Sequence, residues 1–384
     1  MAGRYLLEMP VALPDAADVN LAPPGAEEVA TLSRGILGVV SPPGGLTDLQ
    51  RVLIEAAFPA MTGFPPDLDG EPIDVADFAL ALARRDAQFR ARIVQMVILF
   101  ALVLRPLPES VVERAAAFAA EVGVDEGMLT VARDFAVGSL GLAAIDFERN
   151  GYGSDWHPDD QAALHTSTQL HGAWDVAYRD PVLATRWQAL EDLGPSTLGR
   201  RMTDFYRARG FVYPGLPGSA PPLLTQHDWV HVVADYGTTV EAELEVFAFI
   251  ARANDDVRAF SLLAMVVSLF ETGYLRSGAG LFEYDSGHLS QAGVAVRLAD
   301  ALSRGARCQG SNDFMAIDWF SLAHLPIEEV RRHFGVPTKG AEALAAGSVG
   351  PWEPGGISPF QRDAGEALAA REGRTYDSFG ASVA

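Results

Sequence analysis

The chain has 384 residues, 49% of them hydrophobic, and a formal net charge of −21 at pH 7. This length is enough for two domains with buried cores, whereas the acidic balance excludes the basic surface that nucleic-acid binding requires. The single cysteine, Cys308, excludes an intrachain disulfide and favours a reducing compartment.

Amphipathic spacing predicts helices throughout the N-terminal half, after a loose leader of residues 1–25. Thr47 and Gln50 have the spacing of a capping box, which predicts a helix running toward Met61. Further helices are predicted, in chain order, at residues 75–85, 86–104, 108–122 and 125–145. Their length and succession loosely resemble the helical domain of the tellurite-resistance B type.

The segment 150–160, rich in Gly, Asn, Asp and Tyr, is the best candidate for a domain boundary. Strands are not indicated, because no two alternating runs flank a turn dipeptide. We therefore predict an all-α protein with two helical domains, residues 26–150 and 151–337. A largely mobile tail, residues 338–384, is expected to follow because it is rich in Gly, Ala and Pro, with a short helix at 361–371.

Two apolar runs, residues 93–104 and 260–270, are the longest in the chain. A membrane-spanning helix needs ~20 apolar residues, so both runs are interpreted as buried helices. The chain also does not open with the charged-then-apolar pattern of a secretory signal peptide. We therefore expect a cytoplasmic protein, or one held peripherally at the inner face of a membrane.

The most informative stretch is 227–231, with the sequence His-Asp-Trp-Val-His. Two histidines four residues apart share one face of a helix, so both can reach one metal ion. Gly237 is predicted to end this helix in the left-handed conformation. Thr238 with Glu241 is predicted to open the next helix as a capping box. A helical hairpin is therefore expected in the C-terminal domain.

Glu243, on the second helix, completes the candidate site. It lies six residues after Gly237, and His231 lies six residues before it. At ~1.5 Å of rise per residue both are about 9 Å from the turn, so they come level across an interhelical gap of roughly 8–10 Å. Glu243 is on the apolar side of its helix, where a carboxylate is costly to bury unless it is paired or binds a metal. Glu241 and Glu245 are expected to face solvent.

The sequence thus predicts one metal ion held by His227, Asp228, His231 and Glu243. Asp228 lies at the margin of the face that carries the two histidines. A structural alternative stays open, in which the histidines form a core pair and Glu243 is their internal salt-bridge partner.

The pattern His-Asp-x-x-His-x11-Glu resembles the metal motif of the fourth protein family of ubiquinone (coenzyme Q) biosynthesis. The segments 193–199 and 326–335 are also similar to this family, so the resemblance covers residues ~185–337. The chain departs from the family in its N-terminal extension, in its C-terminal tail and in the pair Gly194-Pro195. The resemblance implies an all-helical fold that binds a divalent metal, usually zinc, with iron, manganese and magnesium as alternatives.

The resemblance also implies an apolar tunnel for isoprenoid-tailed aromatic precursors and replacement of their ring carboxylate by hydroxyl. Association with other biosynthetic enzymes is implied as well, and a homo-oligomer is compatible with it. A tetrahedral zinc with four protein ligands has no open position, so catalysis needs either an ion that accepts five or six ligands or one ligand, Asp228 first, that is displaced or lies outside the coordination shell. The loop 211–222 and the helix from Thr197 are expected to border the substrate cavity. The candidate substrate-binding residues are Phe205, Phe211, Tyr213 and Leu216.

Two other functions compete with a lyase or oxidative decarboxylase. One is a non-catalytic lipid-binding scaffold, for which a metal with four protein ligands would be structural. The other is a metallohydrolase, because His-Asp-x-x-His differs by one methylene from the zincin pattern His-Glu-x-x-His. The arginines at 200, 201, 207 and 209 could meet a phosphate or carboxylate, but a solvated helix face is the favoured interpretation.

Overall fold

The computed structural model describes residues 24–377, except 105, 125–126, 128, 131–178, 220–221, 255–257, 268–287 and 311. Fifteen α-helices lie in this described part of the chain, which contains no strand. The all-α fold class predicted from the sequence is therefore confirmed. Residues 1–23 of the predicted leader, most of the predicted helix 125–145 and the predicted boundary 150–160 lie outside the described residues.

Five helices precede the gap at 131–178. They are α1 (Ala26–Val40), α2 (Asp48–Thr62), α3 (Val75–Ala81), α4 (Ala87–Ala101) and α5 (Glu109–Glu121). The predicted capping box opens α2, since Gln50 N donates to Thr47 Oγ1 at 3.2 Å and Thr47 N donates to Gln50 Oε1 at 3.1 Å. Helix α1 is not among the helices predicted individually; it begins after Gly25, whose N–H donates to Glu28 Oε2 at 2.8 Å.

Ten further helices follow residue 178. They are α6 (Pro181–Ala189), α7 (Leu198–Arg209), α8 (Pro222–Ala234), α9 (Val240–Ala253), α10 (Arg258–Val267), α11 (Val294–Ala306), α12 (Trp319–Leu322), α13 (Ile327–His333), α14 (Ala341–Ala345) and α15 (Pro359–Arg371). A 3-10 turn, Leu190–Asp192, links α6 to the loop before α7. Helix α7 begins after Thr197, whose hydroxyl accepts from Arg200 N, and ends at Gly210 with φ 68°.

One continuous hydrophobic core joins the described helices of both halves. Helix α9 packs between α10 and α11, and these two helices in turn pack against α4 and α2 of the N-terminal half. This arrangement surrounds α9, all of whose residues except Glu241 are buried. The division into two domains at 150–160 stays a prediction, because that segment is not described.

The predicted mobile tail is wrong for residues 338–377, which fold against the rest of the chain. Helix α15, whose position agrees with the predicted helix, packs on α7. Arg209 Nη2 donates to the carbonyl oxygens of Pro351 and Gly356 at 3.0 Å each, and Tyr376 Oη donates to Ala208 O at 2.9 Å. The glycines and alanines that suggested mobility permit close approach instead, since a Cβ on Gly365 would lie 2.2 Å from Ala208 O.

None of the helices in the described part of the chain combines the length and the hydrophobicity that crossing a membrane requires.

Candidate metal centre

The predicted helical hairpin is formed by α8 and α9, but its turn differs from the prediction. Helix α8 ends at Ala234, and Asp235 takes the left-handed conformation with φ 64° that was expected of Gly237. Aspartate tolerates this region better than most residues with a Cβ. Gly237 instead permits the backbone around Gly356 to approach closely, because a Cβ at position 237 would lie 2.7 Å from the Cα of Gly356.

The N-terminal cap of α9 is Thr239, not Thr238, and its hydroxyl accepts from Ala242 N at 3.4 Å. The predicted capping box of Thr238 with Glu241 is therefore wrong. The hydroxyl of Thr238 instead accepts a hydrogen bond from Arg209 Nε at 2.8 Å and donates one to Gln361 Oε1. The C-terminal segment thus fastens the turn that joins the two site helices.

The hairpin brings both histidines against one carboxylate. His227 Nε2 lies 3.4 Å from Glu243 Oε2, and His231 Nε2 lies 3.3 Å from Glu243 Oε1. Asp228 Oδ1 lies 3.5 Å from His227 Nδ1, which is the ring nitrogen opposite to the one near Glu243. Ligand atoms of His227, Asp228 and His231 can be chosen within 4.8 Å of one another, so these three could hold a metal ion.

Each contact of Glu243 with a histidine has a length that two ligands of one ion can have. Ligand atoms bound at ~2.0–2.1 Å to a tetrahedral zinc lie about 3.3–3.4 Å apart, and the two contacts, which end on different oxygens of Glu243, have these lengths. They are not in hydrogen-bond geometry, since both carboxylate oxygens of Glu243 and both ring nitrogens of His231 have no hydrogen-bond partner. Buried polar atoms left in this state are costly, and a cation bound among them would remove that cost.

The site is removed from solvent, and this changes the ionisation of its carboxyl groups. Exposed fractions are 1% for His227, 6% for Asp228, 0% for His231 and 1% for Glu243. Burial raises the pKa of the Asp228 carboxyl group despite the opposing effect of His227. Burial also acts to raise the pKa of Glu243, but positive charge on His231 and His227 outweighs it and lowers the pKa to about 2. A bound cation would keep Glu243 ionised in the same way.

Tyr206 on α7 holds the second oxygen of Asp228. Its hydroxyl donates to Asp228 Oδ2 at 2.6 Å, and both groups are buried. Asp228 is thereby fixed between the Tyr206 hydroxyl and the His227 ring. Metal-binding histidines commonly donate their other ring nitrogen to a carboxylate, which fixes the orientation of the ring.

Aromatic rings cover the two histidines. Phe247 stacks on His227 with centroids 5.3 Å apart and an interplanar angle of 16°, and Phe205 stacks on His231 at 5.9 Å and 28°. Phe211 contacts Phe205 at 6.1 Å between centroids. The site is therefore a polar cluster inside apolar walls.

The four predicted substrate-binding residues lie at different distances from the histidines. Phe205 contacts His231 directly, whereas Phe211 packs behind it on Phe205 and Tyr206. The Tyr213 ring packs on Tyr206, and its hydroxyl donates to Glu191 Oε1 at 2.8 Å. Leu216 is half-buried, and its N–H donates to Tyr213 O at 3.1 Å. Their role in binding a substrate stays a prediction.

Two expectations about charged residues are wrong. Glu245 is buried, not solvent-facing, because Arg297 on α11 donates to its Oε2 at 2.6 Å. Arg209 is fully buried, so the four arginines do not form one solvated face. Its guanidinium lies 3.8 Å from the centroid of the Phe205 ring. Burial lowers its pKa to about 9, although the charges of Tyr376, Asp228 and Glu243 oppose this effect.

No protein-family model matches this chain, and no curated protein matches it. One similar solved structure is a protein from Nostoc punctiforme that is provisionally described as a ubiquinone biosynthesis protein. The two sequences are 19% identical, and the match covers 56% of this chain and 98% of the Nostoc protein, with a TM-score of 0.32.

Replacing Tyr206 by phenylalanine should weaken metal binding about 10–100-fold, the usual effect of losing a group that orients a ligand. The change removes the donor to Asp228 Oδ2 and retains the ring in the core. Titration with cobalt(II), followed by its visible absorption, measures the affinity.

Tyr213→Phe is the matched control, because it removes a hydroxyl from the same aromatic group but one that donates to Glu191. Equal cobalt affinity of Tyr206→Phe and Tyr213→Phe would contradict the orienting role of Tyr206.

Proposed function

We propose that this protein is a metal-dependent enzyme that removes the ring carboxylate of an apolar aromatic acid. The observation that carries the proposal is the convergence of two imidazoles on one buried carboxylate at 3.3–3.4 Å, within aromatic walls. The motif resemblance to the fourth family of ubiquinone biosynthesis proteins supports the same reaction class. A quinone precursor with an isoprenoid tail is the substrate we favour.

In this proposal His227, His231 and Glu243 hold the ion. When bound, the ion supplies a Lewis acid that stabilises negative charge developing on the substrate as CO2 departs. Asp228 is held by Tyr206 and contacts the opposite side of the His227 ring. It can therefore orient that imidazole, and it would offer a further oxygen ligand to a bound ion.

The aromatic residues exclude water and provide an apolar surface for a ring or tail. Phe205 and Phe247 cover the imidazoles, and Phe211 extends this surface toward the loop 211–222. Exclusion of water strengthens electrostatic interactions inside the site. Zinc suits the two nitrogens and the carboxylate oxygen, while iron, manganese or magnesium would accept additional oxygen ligands.

A structural metal in a lipid-binding scaffold is the second candidate. The observation that favours it is the near-complete burial of all four proposed ligands, none of which is more than 6% exposed. Structural zinc sites are closed by four protein ligands and stabilise the fold directly. An enzyme and a scaffold would therefore differ in the role of Asp228, which would be a displaceable ligand in the enzyme and a permanent fourth ligand in the scaffold.

Release of CO2 from aromatic carboxylic acids tests the enzymatic proposal. The protein would be stripped with a chelator and reloaded with zinc, iron(II), manganese or magnesium. It would then be incubated with ring-carboxylated acids with and without an isoprenoid tail. Replacing carboxylate by hydroxyl requires an oxidant such as dioxygen, so aerobic and anaerobic incubations are compared. We expect metal-dependent CO2 release, and its absence in every metal-loaded form would favour the scaffold.

A further inference from the structure

The C-terminal end of α8 carries the proposed ligand His231 in its last turn, and the helix ends at Ala234. The last four carbonyl oxygens of an α-helix have no partner within the helix and need one from outside it. In α8 these oxygens belong to residues 231–234. His231 O accepts from Tyr236 N at 2.9 Å, whereas the other three accept from arginine side chains. Residues distant in the sequence therefore hold the end of the helix that carries His231.

Arg331 on α13 supplies two of these three bonds. Its Nε donates to Val233 O at 2.9 Å, and its Nη2 donates to Val232 O at 3.1 Å. Both N–H groups belong to one planar guanidinium, so a single side chain spans the two carbonyl groups in a fixed geometry. A positive charge at the C-terminal end of a helix is also stabilised by the helix dipole. Val232 directly follows His231, so this contact is one residue away from a proposed ligand.

Arg331 also contacts the residue that ends the helix. Its Nη2 lies 3.6 Å from Oδ1 of Asp235, which has the left-handed conformation with φ 64°. The third bond comes from Arg304 on α11, whose Nη2 donates to Ala234 O at 2.8 Å. Arg304 divides its donors between α8 and the carbonyl oxygen of Pro337. Both the Nε and the Nη2 of Arg331 instead serve the end of α8.

Helix α13, which carries Arg331, is itself fixed to the segment before α7. At the first residue of α13, Ile327 N donates to Ser196 O at 3.0 Å. Helix α7 begins two residues after Ser196 and carries Tyr206, whose hydroxyl holds Asp228. Helix α8 is therefore held at Asp228 by α7 and at its C-terminal end by α13, and these two helices are joined to each other.

The contact between His231 and Glu243 depends on how α8 is placed along its axis. His231 Nε2 lies 3.3 Å from Glu243 Oε1. One residue of an α-helix advances by ~1.5 Å, whereas metal–ligand distances tolerate changes of only ~0.2 Å. A slide of α8 by a fraction of one residue would therefore disturb an ion shared by these two side chains. A contact that fixes the last turn of α8 prevents such a slide.

We propose that Arg331 is a positioning residue of the metal centre, and this inference rests on the proposed metal site. Arg331 acts through the backbone of Val232 and Val233, not through a ligand side chain. By fixing the last turn of α8, it keeps His231 level with Glu243 so that both can bind one ion. It is therefore a determinant of metal affinity and of coordination geometry.

Arg331→Gln tests this role by removing the guanidinium from the end of α8. Metal-free protein is titrated with cobalt(II), well below its melting temperature, and the visible absorption of the bound ion is recorded. We expect the affinity for cobalt to fall about tenfold, the lower end of the usual effect of residues that orient ligands. We also expect an altered absorption spectrum, because the intensity of the cobalt bands depends on coordination geometry.

Thermal unfolding of the metal-free proteins separates positioning from general stabilisation. A helix cap that only stabilises the fold would lower the melting temperature of Arg331→Gln and leave the cobalt affinity and spectrum of the folded protein unchanged. That result overturns the proposal. The matched control is Arg307→Gln, because Arg307 Nε donates to Ser303 O at 3.2 Å in the last turn of α11, a helix with none of the proposed ligands. It should keep the wild-type affinity and spectrum.

A milder variant covers the case in which Arg331→Gln does not fold. Arg331→Lys keeps the positive charge near the end of α8 but lacks the planar fork that spans two carbonyl groups. We expect its cobalt affinity to lie between those of wild type and Arg331→Gln, and wild-type affinity with an unchanged spectrum overturns the proposal. Absence of cobalt binding in wild type would instead contradict the metal centre itself, and the role of Arg331 with it.

Discussion

Wild-type protein should purify with ~1 divalent ion per chain, and His231→Ala should lose most of it. His231 is 0% exposed and its Nε2 lies 3.3 Å from Glu243 Oε1, at the centre of the proposed ligand set. Alanine removes this ligand and leaves Glu243 with His227 as its one histidine partner. Elemental analysis of the purified proteins measures the metal directly.

His324→Ala is the control for this experiment, because His324 is exposed and lies on the loop after α12. It should retain the wild-type metal content. Loss of metal in His231→Ala alone would also argue against the alternative of a histidine pair bonded to Glu243 without an ion. Equal metal content in wild type and His231→Ala would contradict the proposed ligand set.

The sequence predicted which residues of α8 and α9 lie at the same level of the hairpin because helical geometry is regular. The four-residue spacing of His227 and His231 and the placement of Glu243 on the apolar side depend only on residues per turn and rise per residue. The structure brings these side chains together at the predicted level of the hairpin. The details of the turn were less predictable, since Asp235 and Thr239 took the roles expected of Gly237 and Thr238.

Contacts between distant parts of the chain could not be read from local spacing. Glu245 falls on the predicted solvent side of α9 by its spacing, but Arg297, 52 residues later in the chain, donates a hydrogen bond to it. Arg209 is buried because carbonyl oxygens at 351 and 356, in the segment expected to be mobile, accept its hydrogen bonds. Tyr206 lies 22 residues before Asp228, so local spacing could not predict the hydrogen bond that its hydroxyl donates to that carboxylate.

The motif resemblance and the contacts of Glu243 with two histidines support the proposed metal ion. A catalytic ion and a structural ion would differ in how they use the surrounding carboxylates. The distinction lies in Asp228, whose carboxylate is the member of the set that contacts a tyrosine as well as a histidine.

Asp228→Asn should keep the metal and lose about 100-fold or more of CO2 release if the site is catalytic. Asparagine retains an oxygen that can accept from Tyr206 but removes the negative charge beside His227. His227, His231 and Glu243 remain, and three protein ligands suffice for many catalytic zinc ions. If the metal is structural, the same change should lower the melting temperature instead, because weaker binding of a structural ion destabilises the fold.

Asp204→Asn is the matched control for this last experiment. It neutralises another buried carboxylate, one that accepts from Arg200 Nε at 2.9 Å on α7 rather than from Tyr206. Metal content, melting temperature and CO2 release would be measured on wild type and both variants. The control also removes the negative charge of a buried carboxylate. A loss of turnover confined to Asp228→Asn can therefore be assigned to the position of that carboxylate beside His227. Full activity in Asp228→Asn would exclude a chemical role for its charge, and the proposed mechanism would then have to depend on the three remaining ligands alone.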